Sequence, residues 1–199
     1  MMKLANIANV DSGYHFRGRI EHDPEGSLAV IQSKDFGDDL RLNVESVTRV
    51  DLEEHPTPSS MVRTGDVVFL SRGNRPWAAT VGELPKPAIV PSSFYILRVD
   101  EQRVRPDYLA WFINHPKTQI ALRSMMRGTN IAFISKLEFQ DLPISVPPLE
   151  VQDRIVELTQ LSETEQRLLQ ALGARRKTLI DAVSMDLAEG HGQSTGRES

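Results

Sequence analysis

Cysteine is absent from this chain, which excludes a disulfide framework and any thiolate metal site. That fits a reducing compartment, and the cytoplasm is the expected location. No stretch approaches ~18 consecutive apolar residues, so no membrane span is expected. The opening Met1-Met2-Lys3-Leu4-Ala5-Asn6-Ile7 lacks the apolar core of a signal peptide. There is no Gly-rich phosphate loop followed by Lys-Ser or Lys-Thr, and no G-x-G-x-x-G. Nor is there an Asn-Pro-Pro-aromatic or Asp-Pro-Pro-aromatic tetrapeptide of the kind amino-methyltransferases use. Pro147-Pro148 stands between Val146 and Leu149, and Pro106-Asp107 lacks the downstream acid-x-Lys pair of a metal-dependent nuclease. His15, His22, His55, His115 and His191 are scattered without ligand spacing. Neither a metal nor a cofactor is expected.

What is present is an ordinary apolar share of 40% in 199 residues, enough for one domain with an appendage or two small domains. The net charge of −4 argues weakly against nucleic acid, but its distribution says more. Residues 1–147 carry 17 Lys+Arg against 18 Asp+Glu, and residues 148–199 carry 6 against 9. No acid lies between Asp66 and Glu83, where Arg72 and Arg75 sit. None lies between Asp107 and Glu138, which enclose Lys117, Arg123, Arg127 and Lys136. Such segregation lets an acidic protein present a basic face, although two solvated surfaces would read the same way.

The pattern along the chain changes at Pro147-Pro148. Before it, short β-like runs alternate with turns. Residues 28–32 read as a buried strand after the turn Asp23-Pro24-Glu25-Gly26. Residues 44–52 place Val44, Ser46, Thr48 and Val50 on one side, the period of a half-buried strand. Arg63-Thr64-Gly65-Asp66 turns into the strand 67–71, broken by Arg72-Gly73-Asn74-Arg75-Pro76, with 77–81 as its hairpin partner. Residues 88–90 and 93–99 are further strands. Pro106 and Pro116 each open a helix, the first through Asn114 and the second stopping at Gly128. Ser135 and Glu138 are spaced as a capping box, and residues 142–146 form a short apolar segment.

After the prolines, residues 152–187 read as one helix of about 54 Å. Its seam runs Leu158, Leu161, Glu165, Leu168, Leu172, Arg175, Leu179, Ala182, broadened by Ile155, Val156, Leu169, Ile180 and Val183. A parallel pair would set like charges together at Glu165 and at Arg175. An antiparallel pair sets Glu165 against Arg175 of the second helix. A rod of this length needs a partner helix. The fold class is therefore α+β: a β-rich domain with short packed helices over 1–147, a long coiled-coil-type helix over 148–188, and a disordered tail over 189–199.

The ordered set of motifs is quite specific. It comprises Gly65-Asp66-Val67-Val68-Phe69-Leu70-Ser71-Arg72-Gly73, Val81-Gly82, the run 106–116 from Pro106-Asp107-Tyr108 to His115-Pro116, Gly128-Thr129, Ile134-Ser135 with Leu137, Leu142-Pro143-Ile144, and Pro147-Pro148-Leu149-Glu150-Val151-Gln152. Together these resemble the specificity subunits of type I restriction-modification systems, over nearly the whole chain. Residues 7–18 and 31–35 also resemble the start of such a domain. The resemblance implies a target recognition domain that reads DNA bases and a helical spacer, with no catalysis in this chain. Members of that family usually carry two domains and two antiparallel helices, and hold two copies of an N6-adenine methyltransferase subunit on a bipartite site. With one domain and one helix, this chain resembles half such a subunit. The implied partners are double-stranded DNA, the methyltransferase subunit, which alone would use S-adenosylmethionine, a restriction/translocase subunit, and a second copy paired through the helix.

A base reader needs donors and acceptors on loops, and cations for phosphates. The candidates are Tyr14, Arg17 and Arg19 beside Gly13 and Gly18, and Lys34 after a strand. Arg72, Asn74 and Arg75 form a turn at a strand end. Arg127, Thr129 and Asn130 lie in the acid-free stretch, and Ser135 and Lys136 at a helix N-terminus. Ser135 also reads as a cap, and Tyr108, Trp111 and Phe112 as core. Dimerisation is assigned to Leu158, Leu161, Leu168, Leu172, Leu179 and Val183. Two other functions fit parts of the sequence. One is a protein-interaction adaptor with an assembly helix. The other is a serine–lysine peptidase, loosely suggested by Gly65-Asp66-Val67-Val68 with Ser71, for which Lys86 is the only nearby lysine.

Overall fold

We describe the protein from a computed structural model over residues 1–52, 55–128 and 130–190. Thr129, and the expected tail from residue 191 on, lie outside the described residues. Two compact units are present, Met1–Val156 and Glu157–Ser199. In chain order the elements are β1 (Met2–Lys3), β2 (Ala8–Ser12), β3 (Leu28–Val30), β4 (Thr48–Val50), β5 (Met61–Val62), β6 (Val67–Leu70), β7 (Trp77–Thr80), β8 (Ala88–Ile89) and β9 (Phe94–Val99). There follow α1 (Pro106–Asn114), α2 (Pro116–Met125), α3 (Lys136–Gln140), β10 (Pro143–Ile144) and the 40-residue α4 (Leu149–Ala188). The class is α+β, with the long C-terminal helix that the sequence predicts. Among the described residues no helix is long and apolar enough to cross a membrane.

In the first unit an antiparallel sheet runs in the order β2-β9-β6-β7. Its central strands are nearly continuous apolar runs, as sheets covered on both faces require. The two-residue period then sorts their side chains. Val67, Phe69, Tyr95 and Leu97 face a core shared with Leu109, Ile113, Leu122 and Phe139 of the helices. Val68, Ala79, Phe94 and Ile96 face the other way, against Ile31, Val62, Ala88 and Val90 of the second sheet. That sheet has the order β4-β3-β8-β5, with β3 and β8 parallel. Its far face packs Leu28, Val30, Val50 and Ile89 under Tyr14, Phe16 and Ile20. Phe69 and Phe139 stack with ring centroids 3.9 Å apart. Tyr108 belongs to the first core, and Trp111 and Phe112 pack against it.

Three local readings need correction. The alternation over 44–52 yields a strand only at Thr48–Val50, because Ser46 N donates to Asn43 O (3.2 Å) and folds residues 43–46 into a turn. Val44 is consequently exposed. Helix α2 stops at Met125, capped by Met126, and not at Gly128. The positive φ of Gly128 (+104°) instead serves the next turn, where a Cβ would stand 2.7 Å from Ile131 O. The sequence reading also assigned no strand to 8–12, yet β2 pairs with β9 along its whole length.

The double proline leads into α4, whose Val151 N donates to Pro148 O (2.9 Å). Gln152, fully buried, donates through Nε2 to Arg103 O (2.9 Å) and Pro147 O (2.8 Å), and its Oε1 accepts from Arg105 N (2.9 Å). Arg105 reaches Asp153 through Nε (2.8 Å) and Nη2 (3.3 Å). The first turns of α4 are thereby part of the first unit. In the second unit, Leu158, Leu161, Leu168, Leu172, Leu179 and Val183 are all exposed.

Candidate nucleic-acid interface

The sheet β2-β9-β6-β7 has one end at which β2 and β6 finish and β9 and β7 begin. Ser12 pairs with Tyr95, Leu70 with Phe94, and Leu70 with Trp77. The connections leaving this end carry the predicted reading residues. Beyond β2, Gly13 N donates to Phe94 O (3.0 Å) and Tyr14 N to Val90 O (2.7 Å). Exposed Arg17 and Arg19 follow. Beyond β6, Ser71 N donates to Ser93 O (2.8 Å), and Arg72, Asn74 and Arg75 follow. Lys34 arrives from the second sheet. Phe36, two residues on, sets its ring against Trp77 (4.8 Å) and Phe94 (6.4 Å) at that same end.

The segment after α2 completes the arrangement. Gly73 N donates to Ala132 O and Ile134 N to Ser71 O, both at 2.9 Å. Arg127 and Phe133 exchange both backbone bonds, at 2.9 and 2.8 Å. Buried Ile134 accepts the phenol of Tyr95 on its carbonyl (2.8 Å); burial raises that phenol's pKa above its ordinary value. Segments separated by more than fifty positions in sequence are thus joined: Arg72, at the head of the turn that carries Asn74 and Arg75, pairs with Phe133, which pairs with Arg127 and is followed closely by Ser135 and Lys136.

The side chains differ in how far they are already engaged. Arg127 donates to Glu138 Oε1 through Nε (2.9 Å) and Nη2 (2.7 Å). Its guanidinium, with the Ser135 hydroxyl, holds the Glu138 carboxyl below the usual glutamate range. Ser135 is the N-cap of α3: its Oγ accepts from Glu138 N (3.3 Å) and donates to Glu138 Oε2 (2.7 Å). Lys34 Nζ donates to Thr48 Oγ1 (3.3 Å). Half-buried Tyr14 sets its ring edge-on to Phe16 (4.9 Å). By contrast, Arg72, Asn74, Arg75 and Lys136 make no side-chain hydrogen bond or ion pair among the described residues. Arg19 and Asn130 likewise make none among the described residues, so the Arg72–Arg75 turn, Lys136, Arg19 and Asn130 are all available to a ligand.

Among the described residues Ser71 and Lys86 do not meet. Buried Ser71 donates its hydroxyl to Ser93 O (2.8 Å), and Lys86 donates to Gly26 O (3.3 Å). A serine–lysine dyad needs those two groups on each other. Among the described residues no three His, Asp or Glu side chains gather as metal ligands would.

The fold has counterparts among solved structures. The fold is that of half a type I S subunit. The S subunit from M. genitalium superposes with a TM-score of 0.58 at 14% identity, over 94% of this chain and 44% of that one. The HsdS subunit from Thermoanaerobacter tengcongensis gives 0.63 at 21%, over 95% and 44%. A chain from a structure of the type I R-M system gives 0.61 at 20%, over 94% and 43%. This chain therefore spans less than half the length of these three chains. No protein-family model matches the sequence, and no curated protein sequence does.

Two residues escaped the sequence patterns, one at this end of the sheet and one at the start of α4. Phe133 stands between Arg72 and Arg127 in the backbone ladder, a pairing across sixty positions that no local pattern announces. The anchoring role of Gln152 was also unassigned, although its place four residues after Pro148 in a specific motif was a usable signal.

Proposed function

We propose that this chain is the DNA sequence-specificity half subunit of a type I restriction-modification or N6-adenine methyltransferase complex. It reads one half-site per copy and docks the methyltransferase subunit, with no catalysis of its own. The observation that carries this reading is the convergence of Arg72, Asn74, Arg75, Arg127 and Lys136 on one end of an S-subunit-like fold. Arginine addresses guanine O6 and N7, and asparagine addresses adenine N6 and N7, from loops of this kind. The cations supply phosphate contacts. The site cofactor S-adenosylmethionine belongs to the methyltransferase partner, the complex works in the cytoplasm, and a restriction/translocase subunit is a further partner.

The exposed seam of α4 supports pairing with a second copy. Reversed about residue ~170, it maps onto itself: Leu158 meets Ala182, Leu161 meets Leu179, Glu165 meets Arg175, and Leu168 meets Leu172. A two-fold pair has self-complementary contacts, and this seam satisfies that condition in antiparallel register. Two identical readers would then favour inverted copies of one half-site.

The deciding experiment co-expresses the chain with its methyltransferase subunit and maps methylated adenines across the host genome. The expected result is methylation at inverted half-sites with fixed spacing. A methylation pattern unchanged by deletion of this chain would overturn the assignment.

A further inference from the structure

The ladder at the reading end has a consequence for one aromatic side chain. The bonds Gly73 N to Ala132 O and Ile134 N to Ser71 O flank the pair Arg72/Phe133 on either side. That is the geometry of a non-hydrogen-bonded antiparallel pair, whose side chains stand close together on one face. Phe133 and Arg127 form the hydrogen-bonded kind of pair, and their side chains share that face too. The result is a row, Arg72–Phe133–Arg127. The alternate residues point the other way: Ser71 is 2% exposed and Ile134 0%, whereas Phe133 is 39% exposed. Among the described residues no other aromatic ring pairs with Phe133.

The row is built to stay in place. Ile134 is held from below by the Tyr95 phenol, and Arg127 is held from the side by Glu138. Gly128 permits the tight return of the chain through its positive φ. Phe133 thus stands at the surface beside Arg72, which makes no side-chain hydrogen bond or ion pair among the described residues, while Arg127 on its other side is paired with Glu138. A complement must offer apolar area over the ring and negative charge on the Arg72 side. A nucleic acid base with its phosphate beside it has that form. Ile131 and Leu137, in the same segment, are exposed as well.

We propose that Phe133 is a base-contacting, specificity-determining residue of this surface. Its ring takes the apolar part of a base in duplex DNA, either the face of an unstacked base or the methyl group of thymine. Arg72 holds the phosphate beside it, and Arg127, through Glu138, keeps the Phe133 strand in place. The inference rests on the DNA-reading function above and deepens it.

The test uses the full chain co-purified with its methyltransferase subunit. The probes are fluorescein-labelled duplexes carrying the mapped methylation site or a scrambled one. Phe133→Ala should weaken binding to the mapped site by roughly tenfold, on the scale of base–aromatic contacts. Affinity for the scrambled duplex and the salt dependence should stay as they were, because the cations remain. Phe133→Thr, which suits an extended backbone, should behave as Phe133→Ala does and guards against a folding defect. Two arms separate the sources of apolar contact. Replacing thymine by uracil in the site weakens the wild type but not Phe133→Ala if the methyl is read. A 2-aminopurine fluorescence rise seen only with the wild type marks an unstacked base.

The proposal is overturned if Phe133→Ala keeps its preference for the mapped site within about twofold. It is equally overturned if the variant loses the methyltransferase subunit in gel filtration, since the face then serves a protein. If the wild-type complex itself shows no preference for the mapped site, the DNA-reading function fails, and this inference fails with it.

Discussion

Arg127 places two of its nitrogens on a single carboxylate oxygen of Glu138, at 2.9 and 2.7 Å, while the other oxygen of that carboxylate takes the Ser135 hydroxyl at 2.7 Å. The capping residue, the acid and the arginine are one unit. The pair is largely exposed on the arginine side, so its value lies in orientation more than in stability.

The carboxyl of Glu138 is held below its ordinary value of 4.5, first by the Arg127 hydrogen bond and then by that of Ser135. A lowered folded-state pKa means the contribution is complete above the unfolded glutamate value and is lost as pH falls through the folded one. Carbon-13 titration of the carboxyl should show Glu138 protonating below the ordinary range. Arg127→Ala should move that transition upward. An unmoved Glu138 in the variant would show that the ion pair does not form in solution.

Gln152 is predicted to hold the start of α4 on the first unit. Its side chain satisfies Arg105 N and the carbonyls of Arg103 and Pro147 in a site closed to water. Gln152→Leu removes those partners and leaves buried polar groups unpaired, each costing about 1–3 kcal/mol. The neighbouring Arg105–Asp153 pair is exposed, and Asp153→Ala should cost much less than Gln152→Leu. Urea unfolding of the two variants measures the contrast, and equal midpoints would contradict it.

The contrast between these two regions shows what was legible in the sequence. Strands β6 and β9 and helices α1 and α4 are local: apolar runs, first-turn prolines and a heptad-like stripe announce them. The cap at Ser135 is local too: its hydroxyl accepts from Glu138 N as the spacing predicts, while the Glu138 carboxylate accepts from the Ser135 hydroxyl and Arg127. What the chain did not announce depends on distant partners. Strand β2 exists because β9 lies beside it, and residues 44–46 turn because Asn43 and Ser46 bond to each other before a ladder can continue. At the candidate site, polar loop residues were legible as types, but their assembly was not. Arg72 meets Phe133 only through the fold, and no periodicity encodes that.

Among the residues proposed to read DNA, those without side-chain partners among the described residues should matter most. Arg72→Ala or Arg75→Ala should weaken specific binding by ~1–3 kcal/mol where the guanidinium makes a bidentate base contact. Lys136→Ala, as loss of a phosphate contact, should weaken all sequences alike and lower the salt slope by about one. Fluorescence anisotropy at several salt concentrations separates the two behaviours. Unchanged affinity and preference in both arginine variants would remove this turn from the interface.

The seam of α4 makes the sharpest prediction about assembly. Its apolar residues are exposed along the second unit, and Glu165 and Arg175 interrupt them at positions that coincide when the helix is reversed upon itself. In a parallel pair, Glu165 would face Glu165 and Arg175 would face Arg175, each a like-charge contact at a seam position. In the antiparallel pair each becomes an opposite-charge contact. Glu165→Arg alone should therefore weaken dimerisation, Arg175→Glu alone should do the same, and the double exchange should restore it. Sedimentation equilibrium reads the three states. A cysteine at 158 should cross-link to one at 182 of the second copy rather than to its own counterpart. A 158–158′ cross-link, or a double exchange that fails to restore the dimer, would require a different register and with it a different disposition of the two readers.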